Sequence, residues 1–169
     1  AMVKYAKECR TLGIKYLFDP GMQLPRFSDQ EIIDSVEGAQ ILIGNDYEVA
    51  VIRKRLGKEN GDLLKSVRVL ITTMGGQGCI AETNDKGKHA VWEIPSAKKE
   101  IVDPTGAGDA FRAGFLSGYL KKFDLITSCK MGNLAAAYAI EKYGTTNHRY
   151  TIEEFKARYK DNFNEDLPL

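Results

Sequence analysis

Three cysteines, two histidines and one tryptophan in 169 residues leave little material for disulfide or metal chemistry. Cys9, Cys79 and Cys129 are odd in number, fit no zinc spacing and lie in apolar or mixed stretches, so they read as buried reduced thiols. His89 and His148 have no cysteine or second histidine nearby, and Trp92 reads as core or rim. No signal-peptide pattern, no apolar run of bilayer length and no Asn-x-Ser/Thr site is present. These absences set the expectation of a cytoplasmic protein without a membrane partner. A net excess of either charge is also missing: 24 basic and 23 acidic side chains sum to +1. The longest basic cluster, Arg53-Lys54-Arg55, falls on a predicted helix, so no nucleic-acid partner is expected. Two familiar phosphate-binding signatures are absent. A dinucleotide G-x-G-x-x-G would need glycine where Phe111 stands. Gly57-Lys58 runs into Glu59, and Gly87-Lys88 into His89, so neither pair forms a Walker A loop.

What is there is a well-patterned chain, 43% apolar and 28% charged, long enough for one domain with its own core. Residues 1–13 read as a helix already under way, with an apolar stripe of Val3, Ala6 and Leu12, a stop at Gly13 and no N-cap. A fragment that lacks an upstream portion is therefore an expectation alongside a complete protein. Apolar runs at 14–19, 40–44 and 67–73 predict buried strands. Ser28 with Glu31, and Thr151 with Glu154, form capping-box patterns that open helices. Val49, Ile52 and Leu56 recur at helical spacing, and residues 79–95 predict a hairpin turning at 84–87. From Gly106 the pattern is helical: Phe111, Phe115, Leu116 and Leu120 share one face, and an alanine-rich helix closes at Gly144. Lys98-Lys99 reads as solvated loop, and the last residues, NEDLPL, as a fraying end. Strands alternating with helices predict an α/β fold with a mainly parallel sheet covered on both faces.

Asp19, Asn45 and Thr73 each stand at the carboxyl end of a predicted strand, the edge where open α/β sheets bind ligands. Polar residues also end strands simply because loops begin there. The densest motif is DPTGAGDAFRAG, 103–114. Gly106-Ala107-Gly108 precede a helix, so their N–H groups can converge with the positive end of its dipole on an anion. Asp109 falls in the first helical turn, where an acid is explained by the dipole alone or acts as a general base beside that anion. Asp103, held extended by Pro104, shapes the turn or offers oxygen to a cation. Arg112, one turn beyond Asp109, reads as a salt-bridge partner or a phosphate contact.

DPTGAGDAFRAGFLSG resembles the second signature of the PfkB-type, ribokinase-like sugar and nucleoside kinases, in which D-[ST]-x-G-[AC]-G-D supplies the anion hole and catalytic aspartate. NDYE resembles the family's N-x-x-E motif, TTMGGQG its T-x-G-x-x-G nucleotide loop, and KMGNLAAAYAIEKYG the helix whose asparagine lies by the ATP base. Agreement runs from about residue 1 to residue 160. The resemblance implies a three-layer α/β/α fold, truncated on its amino-terminal side, with residues 1–169 as one carboxyl-terminal portion of the kinase domain. It implies Asp109 as the base and Gly106, Ala107 and Gly108 as the anion hole. It implies Asn45, Thr73, Gly75, Gly78 and Asn133 at the nucleotide. Asn45 and Glu48 would organise Mg²⁺ largely through water, and Asp103 and Thr105 are candidates for a monovalent cation such as K⁺. The cofactors implied are ATP and Mg²⁺, the partner a small-molecule acceptor, with a homodimer as a candidate assembly.

FDPGMQLPRFS and YGTTNHRYTIEEFKARY look most like an adenosine-kinase-like branch. Asp19-Pro20-Gly21 departs from the Asp-x-Asn-x-Arg element more usual in the family's sugar kinases. Both favour a nucleoside acceptor such as adenosine over a ribokinase- or fructokinase-like sugar. The family's amino-terminal half, with its G-G-type motif and most acceptor contacts, has no counterpart here, so a catalytically incomplete nucleotide-binding fragment is a further reading. A dinucleotide-binding domain is disfavoured by Phe111 and by the absence of an acidic ribose ligand.

Overall fold

The computed structural model describes residues 1–98 and 100–168, so Lys99 and the terminal Leu169 lie outside the described residues. Its elements are α1 (Met2–Thr11), β1 (Leu17–Phe18), α2 (Asp29–Val36), β2 (Ile41–Asn45), α3 (Asp46–Leu56), α4 (Asn60–Leu63) and β3 (Val69–Thr73). They continue with β4 (Cys79–Asp85), β5 (Lys88–Ile94), α5 (Ala107–Leu120), α6 (Leu125–Ile140) and α7 (Ile152–Phe163). The chain divides into two compact units, Ala1–Met74 with Ile80–Trp92, and Gly75–Cys79 with Glu93 onward.

The strands of the first unit line up in the order β1-β2-β3-β4-β5. β1, β2 and β3 run parallel, with Phe18 opposite Leu42 and Asn45 opposite Thr73. β2 and β3 are buried along four successive residues, which is why they read as continuous apolar runs. β4 and β5 are joined by Lys86-Gly87, both at positive φ, the conformation a two-residue hairpin turn requires. Phe18, Leu24, Ile32, Leu42, Val49, Ile52, Leu63 and Leu70 are buried in one cluster. Glu82 is also buried, accepting from Asn60 Nδ2 at 2.5 Å with His89 Nε2 2.8 Å from its other oxygen. No sequence pattern marked that cluster.

Three expectations for this unit change. The strand foreseen over 14–19 contracts to Leu17–Phe18, because Ile14 is exposed and the ladder to β2 has only two rungs. Of the stripe on α1 only Ala6 is buried, and Leu12 is exposed. The short α4 was unforeseen, four residues being too few for a periodic signal.

In the second unit α5 packs on α6 at backbone distance. A Cβ on Gly114 would sit 2.6 Å from Met131 O, and one on Gly132 would sit 2.9 Å from the Phe111 ring. Phe111 and Phe115 are buried, whereas Leu120 is exposed because it ends the helix. α6 stops at Ile140 rather than Gly144. The Gly144 N–H goes instead to Asp103 Oδ2 at 2.9 Å, and Val102 and Asp103 both donate to Ile140 O. The capping box at Thr151 forms as read, and α7 buries Phe155 and Tyr159. Leu167, foreseen in a fraying end, is buried with them. The main chain at Lys98 is fixed at both groups: its N–H donates to Asn162 Oδ1 and its carbonyl accepts from Arg158.

Candidate active site

Three candidate groupings lie each within one unit. In the first unit, Asn45 ends β2 and caps α3. Its Oδ1 accepts the Glu48 N–H at 2.8 Å, and Glu48 Oε2 accepts the Asn45 N–H at 2.8 Å. The N-x-x-E motif is therefore a reciprocal capping box, a second meaning of the same spacing. The register sets Thr73 beside Asn45 at the carboxyl edge of the sheet, whereas Asp19, next after the Phe18–Leu42 pair, stops two residues short of that level. Asn45, Glu48 and Thr73 are thus brought together.

The second part is the glycine turn. Gly75 and Gly76 are exposed, with nothing within 4 Å of where a Cβ would stand. Gly78 is buried at φ +101°, where a Cβ would fall 2.1 Å from Ile94 O and 2.6 Å from Ser96 N. Gly78 thus lets two stretches of main chain touch. Asn133, on α6, grips the same segment: its Nδ2 donates to Pro95 O at 2.9 Å and Ile94 O at 3.3 Å. Asn133 is buried at 7% exposure, so its amide holds the 94–96 main chain rather than facing solvent.

The third part is the turn into α5. Asp103 Oδ1 accepts the Thr105 N–H at 2.9 Å while Oδ2 takes Gly144. The Thr105 hydroxyl, followed by the Gly144 and Thr105 N–H groups, holds the Asp103 carboxyl below its ordinary value. Asp103 therefore clamps the turn, as the X-Pro constraint suggested. Gly106 is the N-cap of α5 at φ +86°, a conformation that favours glycine. The Ala107 N–H is drawn into the turn toward Pro104 O at 3.3 Å. Gly108 and Asp109 are the next two helical positions, whose N–H groups a helix start leaves without intrahelical acceptors. The Asp109 side chain is 82% exposed and ion-paired with Arg112, the partner read from their spacing.

These parts suit different groups. The exposed glycines and the α5 start suit a polyphosphate, since small residues leave the main-chain N–H groups and the helix dipole approachable there. Among the described residues no three His, Cys, Asp or Glu cluster as a metal site. Glu48 presents one carboxylate with Oε2 bonded to Asn45, a donor set that suits hydrated Mg²⁺ held mostly by waters and phosphates. No helix among the described residues is long and apolar enough to cross a membrane.

Comparison with known proteins gives a consistent pattern. The model of the pfkB family carbohydrate kinases matches residues 1–151. A nucleoside kinase of Methanocaldococcus jannaschii is 38% identical over 83% of this chain and 46% of its own. The Burkholderia thailandensis nucleoside kinase solved in complex with inosine superposes with a TM-score of 0.92 at 31% identity, over 97% of this chain and 53% of that one. The same kinase in complex with ADP-inosine also gives 0.92 at 31% identity, over 98% and 51%. The chain thus spans about half the length of the relatives it matches.

Proposed function

Since this chain belongs to the pfkB family of carbohydrate kinases, we propose that it carries the ATP side and the base of a nucleoside kinase. The observation that carries the reading is the start of α5, where an exposed carboxylate, Asp109, follows directly on a left-handed glycine and uncapped helix amides. Asp109 accepts the proton of the acceptor hydroxyl as that oxygen attacks the γ-phosphorus and the bond to the ADP oxygen breaks. The amides at Gly106, Ala107 and Gly108 stabilise charge on the phosphoryl oxygens, Gly108 most directly because Ala107 leans toward Pro104. Mg²⁺, when bound, neutralises phosphate charge, and Asn45 with Glu48 orients its waters.

In this reading Thr73, Gly75 and Gly78 form the loop around the nucleotide. Gly78 and Asn133 act by fixing the 94–96 segment. Asp103 and Thr105 shape the turn, with a K⁺ role to be read from exchanging K⁺ for Na⁺. A purine nucleoside such as adenosine or inosine is the favoured acceptor. Support comes from the inosine named for the Burkholderia relative and from Asp19-Pro20-Gly21 in place of the sugar-kinase element. The protein would act in the cytoplasm on a small molecule, without nucleic acid or membrane.

The test is phosphate transfer from Mg-ATP by the longest natural chain carrying this sequence, offered adenosine, inosine, ribose and fructose. Turnover of the nucleosides at least tenfold above the sugars is expected. The reverse order makes it a sugar kinase of the same family, and no transfer to any acceptor removes the kinase reading.

A further inference from the structure

Arg112 lies three residues after Asp109 on α5, so helical spacing sets the two side chains side by side. Its Nη2 donates to Asp109 Oδ1. Its Nη1 reaches back over the helix start, 3.7 Å from where a Cβ on Gly108 would be. The two partners differ in setting: the Arg112 side chain is 29% exposed and that of Asp109 82%. The guanidinium lies along the helix while the carboxylate projects from it.

This pairing engages Oδ1, one of the two oxygens the carboxylate can offer an acceptor hydroxyl. A guanidinium fork fits phosphate as well as carboxylate, and phosphate carries more charge. Nη1 already stands beside Gly108, whose amide lies in the opening turn of the helix, so a turn of the Arg112 side chain alone would bring the guanidinium to a phosphoryl group bound there. We propose that Arg112 holds Asp109 in the nucleotide-free protein and transfers its guanidinium to the polyphosphate when nucleotide binds, releasing the carboxylate to the acceptor. Both carboxylate oxygens are thereby open to the hydroxyl once a phosphoryl donor is in place. This inference rests on the base-and-amide reading of the α5 start.

The test titrates inorganic tripolyphosphate into this chain while following the Gly106 and Gly108 amides, the Arg112 Nε–H and the Asp109 carboxyl carbon by NMR. All four signals are expected to move along one saturation curve. Arg112→Gln is expected to weaken tripolyphosphate about tenfold, the effect of losing one charge-assisted hydrogen bond, with Arg112→Lys recovering part of it. The thermal midpoint is expected to stay put, because the pair lost is on the surface. If the glycine amides move while Arg112 and Asp109 do not, or if Arg112→Gln binds tripolyphosphate as tightly as wild type, the transfer is overturned and the anion hole stands. If the glycine amides do not move, the anion hole itself fails and the transfer with it.

Discussion

The glycine turn after β3 contains three glycines in three different settings, and alanine at each should produce three different results. At Gly76, φ lies outside the left-handed region and space is open. Alanine there is expected to stabilise by about 0.4–1 kcal/mol, through the lowered entropy of the unfolded chain. Gly75 sits at φ +54° with open space, so alanine adds only left-handed strain of about 1–2 kcal/mol, partly offset by the same entropy. Gly78 combines φ +101° with a Cβ that would lie 2.1 Å from a carbonyl oxygen. Backbone atoms cannot turn aside as a side chain does, so strain of about 1–3 kcal/mol adds to overpacking of about 1–3 kcal/mol. The total expected for Gly78→Ala is about 2–6 kcal/mol. Urea unfolding of the three variants, with midpoints compared at equal slope, reads the order Gly76, Gly75, Gly78. A Gly78→Ala protein no less stable than Gly75→Ala would refute the close-approach reasoning and leave Gly78 to the nucleotide alone.

Asn133→Ala should cost about 2–4 kcal/mol in the same assay, since it leaves two main-chain carbonyls at Ile94 and Pro95 without their donor. Asn133→Asp should be worse at pH 7, a carboxylate there facing carbonyl oxygens, and should recover toward pH 4 as it protonates. Asn45→Ala should lose about 1 kcal/mol with the α3 cap, measured by the same unfolding curves and distinct from any change in Mg-ATP affinity. The Asp103 carboxyl is held below its unfolded value, so its contribution is complete above about pH 4 and is lost as pH falls through the folded value. Asp103→Asn should accordingly flatten the acid limb of stability against pH.

The legible parts of the fold were those with local causes. The capping boxes at Ser28 and Thr151, the apolar runs of β2 and β3, and the Lys86-Gly87 hairpin each follow from a handful of adjacent residues. What escaped depended on distant partners. β1 is short because its ladder, not its composition, limits it. α6 ends early because Asp103, 41 residues away, takes the Gly144 N–H. Glu82 looks like one more polar strand residue until Asn60 and His89 close over it. In the site, the motif spacing placed the α5 turn and the Asp109–Arg112 pair, but gave two meanings to Asn45 and Glu48 and none to the grip of Asn133 on residues 94–96. Sequence spacing reports neighbours along a helix, and contacts across elements appear only in the fold.

The central claim is that Asp109 is the base. The direct measurement is the rate of phosphate transfer from saturating Mg-ATP to the preferred acceptor, compared between wild type and Asp109→Asn at matched folded concentration. The account predicts a fall of about 10²- to 10⁴-fold, the range general-base removal produces. Transfer that survives the substitution within a factor of about 3 lies well outside that range and would contradict the assignment.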